Sequence, residues 1–234
     1  MIRFHRHSTH TLLVQWEQRI DPAIHQAVYH LFRQLQRIEG LLAVVPAYQS
    51  LSIRFDPAIW QVETLQKRVE ELLSNRNPVS IEDVPRLRVP VCYESAYALD
   101  AERLVAEKHQ SWPALVEAHQ STTYRVYMLG FLPGFPYLGI LPPIWETPRL
   151  TVPRTQVPAG SVAVAGRQTG IYPMASPGGW SIIGRCPIPL FQATESAFTF
   201  FQPGDEVQFY AVSLSEFLTM EQDPPTRTDC YVKT

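Results

Sequence analysis

The chain has 234 residues, 45% hydrophobic and 18% charged, a mixture that builds packed cores rather than disordered coil. With 20 Lys and Arg against 22 Asp and Glu its formal charge is −2, so it lacks the broad basic face of a general nucleic-acid binder. No run approaches the roughly 20 apolar residues that span a bilayer, and Met1–His7 has charge without an apolar stretch behind it, unlike a secretory signal.

The first eighty residues alternate between strand and helix patterns. Thr11 to Glu17 suits a strand. Asp21 and Pro22 then open a helix as N-cap and first helical residue, with Ile24, Val28, Leu31, Leu35 and Ile38 forming an apolar face. Gly40 is expected to close it as a C-terminal cap. Leu41 to Tyr48 and Leu51 to Phe55 read as a hairpin. Asp56-Pro57 repeats the capping signal before a helix that turns Val62, Leu65, Val69 and Leu72 inward. Arg86 to Tyr93 is a further strand, either closing this first set or opening the next. With it the order is βαββαβ, which predicts a ferredoxin-like α+β domain. The polar, proline-containing stretch Asn77 to Pro85 places the domain boundary, giving units 1–84 and 85–234.

The second part is punctuated differently. Two short helices, Asp100 to His109 and Ser111 to Gln120, precede a strand region that begins at Thr123. Between Gly130 and Leu190 lie 9 of the 11 glycines and 11 of the 21 prolines. Long helices do not survive that density of proline, so short strands and shaped loops are expected, as in a small barrel.

Familiar catalytic signatures are missing. There is no GxxxxGK[ST] phosphate loop, GxSxG elbow or HExxH pair, and nothing is assigned to a metal. Cys92, Cys186 and Cys230 are scattered without CxxC spacing and read as free thiols in a reducing cytoplasm. His5, His7 and His10 fall in what is expected to be a frayed N-terminus. What stands out is a series of rigid loops. Glycines there allow close backbone approach, and aromatic residues (Phe131, Phe135, Tyr137, Tyr172 and Trp180) supply walls. Arg149, Arg154, Arg167 and Arg185 are candidates to clamp a carboxylate or phosphate. The plainer alternative makes the same loops barrel corners. His119, at a helix end, and Glu94, after a strand, are the acid–base candidates. Capping and packing are the ordinary uses of such residues.

Gly130–Gly139 (GFLPGFPYLG), VPAGSV from Val157, QTGIYP from Gln168 and SPGGW from Ser176 closely resemble the B-subunit family of bacterial 5-oxoprolinases. That family is also described as KipI-type kinase inhibitors and allophanate hydrolase subunit 1 domains. The likeness extends to Val45–Leu51, Phe55–Pro57 and Pro203–Val207. It implies a small α+β domain followed by a cyclophilin-like β-barrel. It also implies a protein that works with a C-type subunit of related fold and an A-type subunit. Together these open the lactam of 5-oxo-L-proline to L-glutamate with ATP, a nucleotide for which this chain carries no Walker loop. By position in the family motifs, Arg154, Gln168, Thr169, Tyr172, Gly178, Trp180 and Arg185 are the substrate-binding candidates. Glu94 matches a family Gly-Gly-Glu stretch whose glycines are absent here. A sensor-kinase inhibitor without catalysis is the competing reading.

Overall fold

The computed structural model describes residues 2–74, 85–193 and 198–232. The chain divides into two compact units, Met1–Asp83 and Val84–Thr234. Apart from Pro85, the expected linker lies outside the described residues.

The first unit has strands β1 (Arg3–Ser8), β2 (Thr11–Gln15), β3 (Leu41–Pro46) and β4 (Ser50–Phe55), with helices α1 (Pro22–Leu35) and α2 (Val62–Ser74). Asp21 caps α1 as its sequence demands, its Oδ1 accepting from the N–H groups of Ala23 at 2.8 Å and Ile24 at 3.2 Å. Leu12, Val14, Leu51, Ile53 and Phe55 alternate inward from the strands to meet Val28, Leu31, Leu35, Leu65 and Val69 of the helices. Three expectations are corrected. Gly40 does not cap α1, which ends near Gln36; it turns the chain into β3 at φ +81°, where a Cβ would lie 2.7 Å from the Ile59 side chain. Asp56 holds a separate turn through Ala58 N–H at 2.9 Å, several residues before α2 begins. The N-terminus is not frayed. Its basic residues form β1, paired with β2 from Arg3↔Gln15 to Ser8↔Thr11.

The sheet order is β1-β2-β4-β3, antiparallel throughout, so the unit runs ββαββα rather than βαββαβ. The expected last strand, β5 (Arg86–Val91), belongs to the second unit, where it pairs in parallel with β13 (Glu206–Ala211).

Between those strands the second unit contains α3 (Ala101–Lys108), α4 (Trp112–Gln120), β6 (Thr123–Leu129), β7 (Pro136–Gly139), β8 (Arg154–Val157), β9 (Ser161–Ala165), β10 (Gln168–Ile171), β11 (Ser176–Gly178) and β12 (Ser181–Arg185); α5 (Leu214–Gln222) follows β13. Seven strands form a mixed sheet in the order β12-β9-β10-β7-β6-β13-β5. It curls until its two edges touch, where Cys92 and Arg185 exchange backbone hydrogen bonds, both 2.9 Å. The expected mainly-β barrel is thus a curled half-barrel with helices, closed among the described residues at the Cys92–Arg185 bridge. Strands β8 and β11 stand apart as a two-stranded ribbon. Ser111 caps α4 through Ala114 N–H at 3.3 Å, with Pro113 inside the first turn. Among the described residues no helix is long and apolar enough to cross a membrane.

Both faces of this sheet are buried, and alternation sorts their side chains. Val162, Val164, Ile171 and Ile183 face the larger core with Leu87, Val89, Trp145 and Phe209. Ala163, Ala165 and Ile182 face a smaller aromatic cluster built on Phe135, Tyr172 and Trp180. Residues of three glycine-rich loops, Phe135, Tyr172 and Trp180, meet on that second side.

Candidate functional site

On the larger-core side, His119 is fully buried at the end of α4. The Thr169 hydroxyl donates to the Ala163 carbonyl at 3.0 Å, so it accepts from His119 Nε2–H at 3.1 Å. That leaves Nδ1 to accept the Tyr93 hydroxyl at 2.7 Å. The ring stacks on Phe209 with centroids 4.7 Å apart. Burial pushes the imidazole pKa down to about 3, so the side chain is neutral over the physiological range. The structure therefore places His119 and Thr169 in one satisfied core network rather than in a cleft. Nothing in the sequence distinguishes this from an exposed helix-end histidine, because the strands that enclose it lie far along the chain.

Glu94 is exposed, and its Oε1 accepts from Leu214 N–H at 3.0 Å, at the start of α5. The group suspected as a base serves as a helix-end acceptor. Arg185 is likewise a strut at the closing bridge. Its Nε donates to Ala159 O at 3.0 Å, and its guanidinium sits 5.5 Å from the Tyr97 ring centre and 3.6 Å from Glu221.

The remaining candidates converge on the other side of the sheet. Gly170 in β10 gives Phe135 its place, since a Cβ there would come within 2.8 Å of the ring. Phe135 in turn meets Tyr172 at 5.2 Å, Trp180 at 5.6 Å and Tyr137 at 4.9 Å, all edge to face. Tyr172 points its hydroxyl over Gly178, where a Cβ would stand 2.3 Å from the oxygen. Across the ribbon Gly178 pairs with Arg154. Burial raises the Tyr172 pKa, an effect opposed by the Trp180 backbone and by Arg149 and Arg154. Gln168, half-buried, begins β10 opposite Gly139.

Arg154 is anchored by a residue that sequence reasoning read only as a helix start. Asp100 is 5% exposed and makes no capping bond to α3. Its Oδ2 accepts Ile182 N–H at 2.6 Å and its Oδ1 accepts Arg154 Nη2 at 2.9 Å, with Arg103 Nε 3.5 Å away. Arg103 also donates to Ser181 Oγ at 2.6 Å and to Glu107 at 2.5 Å. The sequence signal for this cluster is weak, because 54 residues separate Asp100 from Arg154. Arg154 Nη1 is buried without a hydrogen-bond partner. At the rim Phe131 adopts φ +67°, a conformation a bulky residue rarely takes, and stays 60% exposed. Its ring sits edge-on to Phe135 at 5.6 Å and to Tyr172 at 6.2 Å. Two concavities lie elsewhere, along Lys67, Glu70, Glu71 and Ser74 and under Arg88, Tyr210, Asp229 and Tyr231. Neither gathers residues of the glycine-rich loops.

The sequence profile of the carboxyltransferase domain, subdomain C and D, matches residues 2–201. The 5-oxoprolinase B subunit of Haemophilus influenzae is 40% identical over 178 residues, 76% of this chain and 82% of its own length. That of Bacillus subtilis is 31% identical over 218 residues, 88% of this chain and 89% of its own length. The chain belongs to the 5-oxoprolinase B-subunit family.

Solved structures carry the same fold. TTHA0988 superposes with a TM-score of 0.77 at 32% identity over 91% of this chain, which spans only 40% of that protein. PH0987 from Pyrococcus horikoshii matches at 0.56 and 35% identity, over 93% of this chain and all of its own. Urea amidolyase of Kluyveromyces lactis, at 20% identity, shares the fold over 95% of this chain and 15% of its own, with a TM-score of 0.74.

Proposed function

We propose that this chain is the B-type, non-autonomous component of an ATP-dependent 5-oxoprolinase. Assembled with C-type and A-type subunits, it takes part in opening 5-oxo-L-proline to L-glutamate. The observation that carries this is the division of labour among its own candidates. Glu94 and His119, the acid–base nominees, are occupied by a helix end and a core network. The loops instead converge on an aromatic and arginine corner that is built to bind rather than to transfer protons. A chain of this kind contributes binding surface to a site completed by another protein of the complex.

An unstrained lactam is a stable amide, and phosphorylation of its carbonyl oxygen by ATP would create a leaving group for attack by water. A corner that carries arginine suits the anions that such chemistry passes through. ATP is assigned to the complex and to no residue of this chain. The same reading makes the second unit a cyclophilin-like barrel. It makes the first ferredoxin-like with a permuted edge, since β2 and β3 flank β4 while β1 takes the outer place. Its three free cysteines suit the cytoplasm.

The test is glutamate release from 5-oxoproline and ATP by this chain alone, by its partners alone and by the reconstituted mixture. Activity in the full mixture only is the expected result. Equal activity without this chain, or none in a folded mixture, overturns the reading.

A further inference from the structure

The open side of the first unit's sheet carries charge that the unit's own fold does not use. Both helices lie on one side, over Leu12, Val14, Leu51 and Ile53. Alternation sends the intervening residues to the other side, and the strand register sets them in rows. His5, Leu13, Ser52 and Val45 are successive partners across β1, β2, β4 and β3. Arg3, Gln15 and Ser50 make a row on one flank, and Thr11, Arg54 and Ala43 a row on the other. Neighbours in such rows stand about 5 Å apart. Arg3, His5 and Arg54 are exposed, and Val45 is 52% exposed.

The four strands contain Arg3, Arg6, Arg54, His5 and His7 and no Asp or Glu. Neither Arg3 nor Arg54 forms an ion pair among the described residues. Charge on β1 alone would be ordinary protection of an edge strand against chance pairing. Arg54 has no such use, because β4 is an inner strand held between β2 and β3. Nucleic acid is a poor match, since the open rows hold no aromatic ring on which a base could stack. Phe4 alternates to the helix side, where it packs against the core. Leu13 and Val45 in the central row, with arginines on both flanks, have instead the layout of a protein interface, apolar at the centre and charged at the rim.

We infer that this open side is a docking surface for an acidic face of a partner protein, whose carboxylates meet Arg3 and Arg54 around Leu13 and Val45. This rests on the proposed role in a multi-subunit 5-oxoprolinase and adds to it the surface by which this chain joins the complex.

The test is binding of the full chain to purified C-type and A-type subunits, by titration calorimetry at stepped salt. The wild type is expected to bind at least one of them, more weakly as salt rises. Replacing both arginines, Arg3→Gln with Arg54→Gln, should weaken binding and flatten its salt dependence. Reversing both, Arg3→Glu with Arg54→Glu, should weaken it at least about tenfold relative to the wild type. Arg33→Glu, at an exposed position in the last turn of α1, should leave binding unchanged. All variants should keep the wild-type melting temperature within a few degrees, because the substitutions are at the surface. Binding to neither subunit, wild-type affinity in the doubly reversed chain, or an equal loss from Arg33→Glu would overturn the inference. So would binding of single-stranded RNA or anionic vesicles in place of either subunit. Glutamate release separates the two claims. Full release by the doubly reversed chain, at subunit concentrations that limit assembly, removes the docking surface and leaves the 5-oxoprolinase role standing. Release that does not need this chain removes the role, while salt-sensitive binding lost on reversal keeps the docking surface.

Discussion

Two polar networks of the second unit have opposite character. Toward the larger core, Tyr93, His119 and Thr169 form a chain in which every donor finds an acceptor and no net charge is buried. At the edge strand β12, Asp100, Arg103 and Arg154 form a charged hub in which Arg103 Nε and Arg154 Nη1 are buried without a hydrogen-bond partner. A closed neutral network rigidifies a core and offers a ligand nothing. An open charged one, at the margin of an aromatic shelf, holds interaction capacity in reserve. Residue type alone misleads here, since the histidine is structural and the arginine corner faces the loops.

The largest break in this contrast is expected from Asp100→Ala. It strips the acceptor from Ile182 N–H and leaves Arg154 and Arg103 without their shared carboxylate, so a loss of about 3 kcal/mol is expected in urea unfolding.

The next prediction concerns acid. His119 has a folded pKa of about 3 against an ordinary value of 6.5, so below that value the unfolded chain takes up a proton that the folded chain refuses. Stability is therefore expected to fall as pH drops from 6.5 toward 3, by at most about 1.4 kcal/mol per pH unit from this group. His119→Phe should be less stable at neutral pH and show a shallower acid slope in urea melts at stepped pH. An unchanged slope would show that the burial of this imidazole is not what acid attacks.

The smallest effect sharpens the assignment of Glu94. Glu94→Ala removes one acceptor from the start of α5, where Ser213 and Glu216 already form a capping box. A loss below about 1 kcal/mol is expected, with glutamate release per folded complex unchanged. A fall in turnover without a fall in stability would return Glu94 to the chemistry.

What was legible in the sequence was local or periodic. Asp21 and Ser111 cap their helices because an N-cap needs only its own next residues. The spacing of Val28, Leu31, Leu65 and Val69 was enough to orient α1 and α2. Pairing over distance was not legible. Arg3–Ser8 carries the charges of a solvated tail, and only its register with β2 makes it a strand. Arg86–Val91 reads equally well as the end of one sheet or the start of another until β13 claims it, 120 residues on at Glu206. At the site, the motifs located Tyr172, Gly178 and Trp180, whereas the role of Asp100 depends on a contact 54 residues away.

The single bridge at which the curled sheet meets itself has a consequence for its motions. The Cys92 and Arg185 amides form a seam two hydrogen bonds long, while other strand pairs are laced along several residues. Those two protons are set to exchange with solvent by parting of the seam alone, without loss of the surrounding ladders. Their exchange rates would act as a clock for breathing of the whole half-barrel, read at two backbone positions.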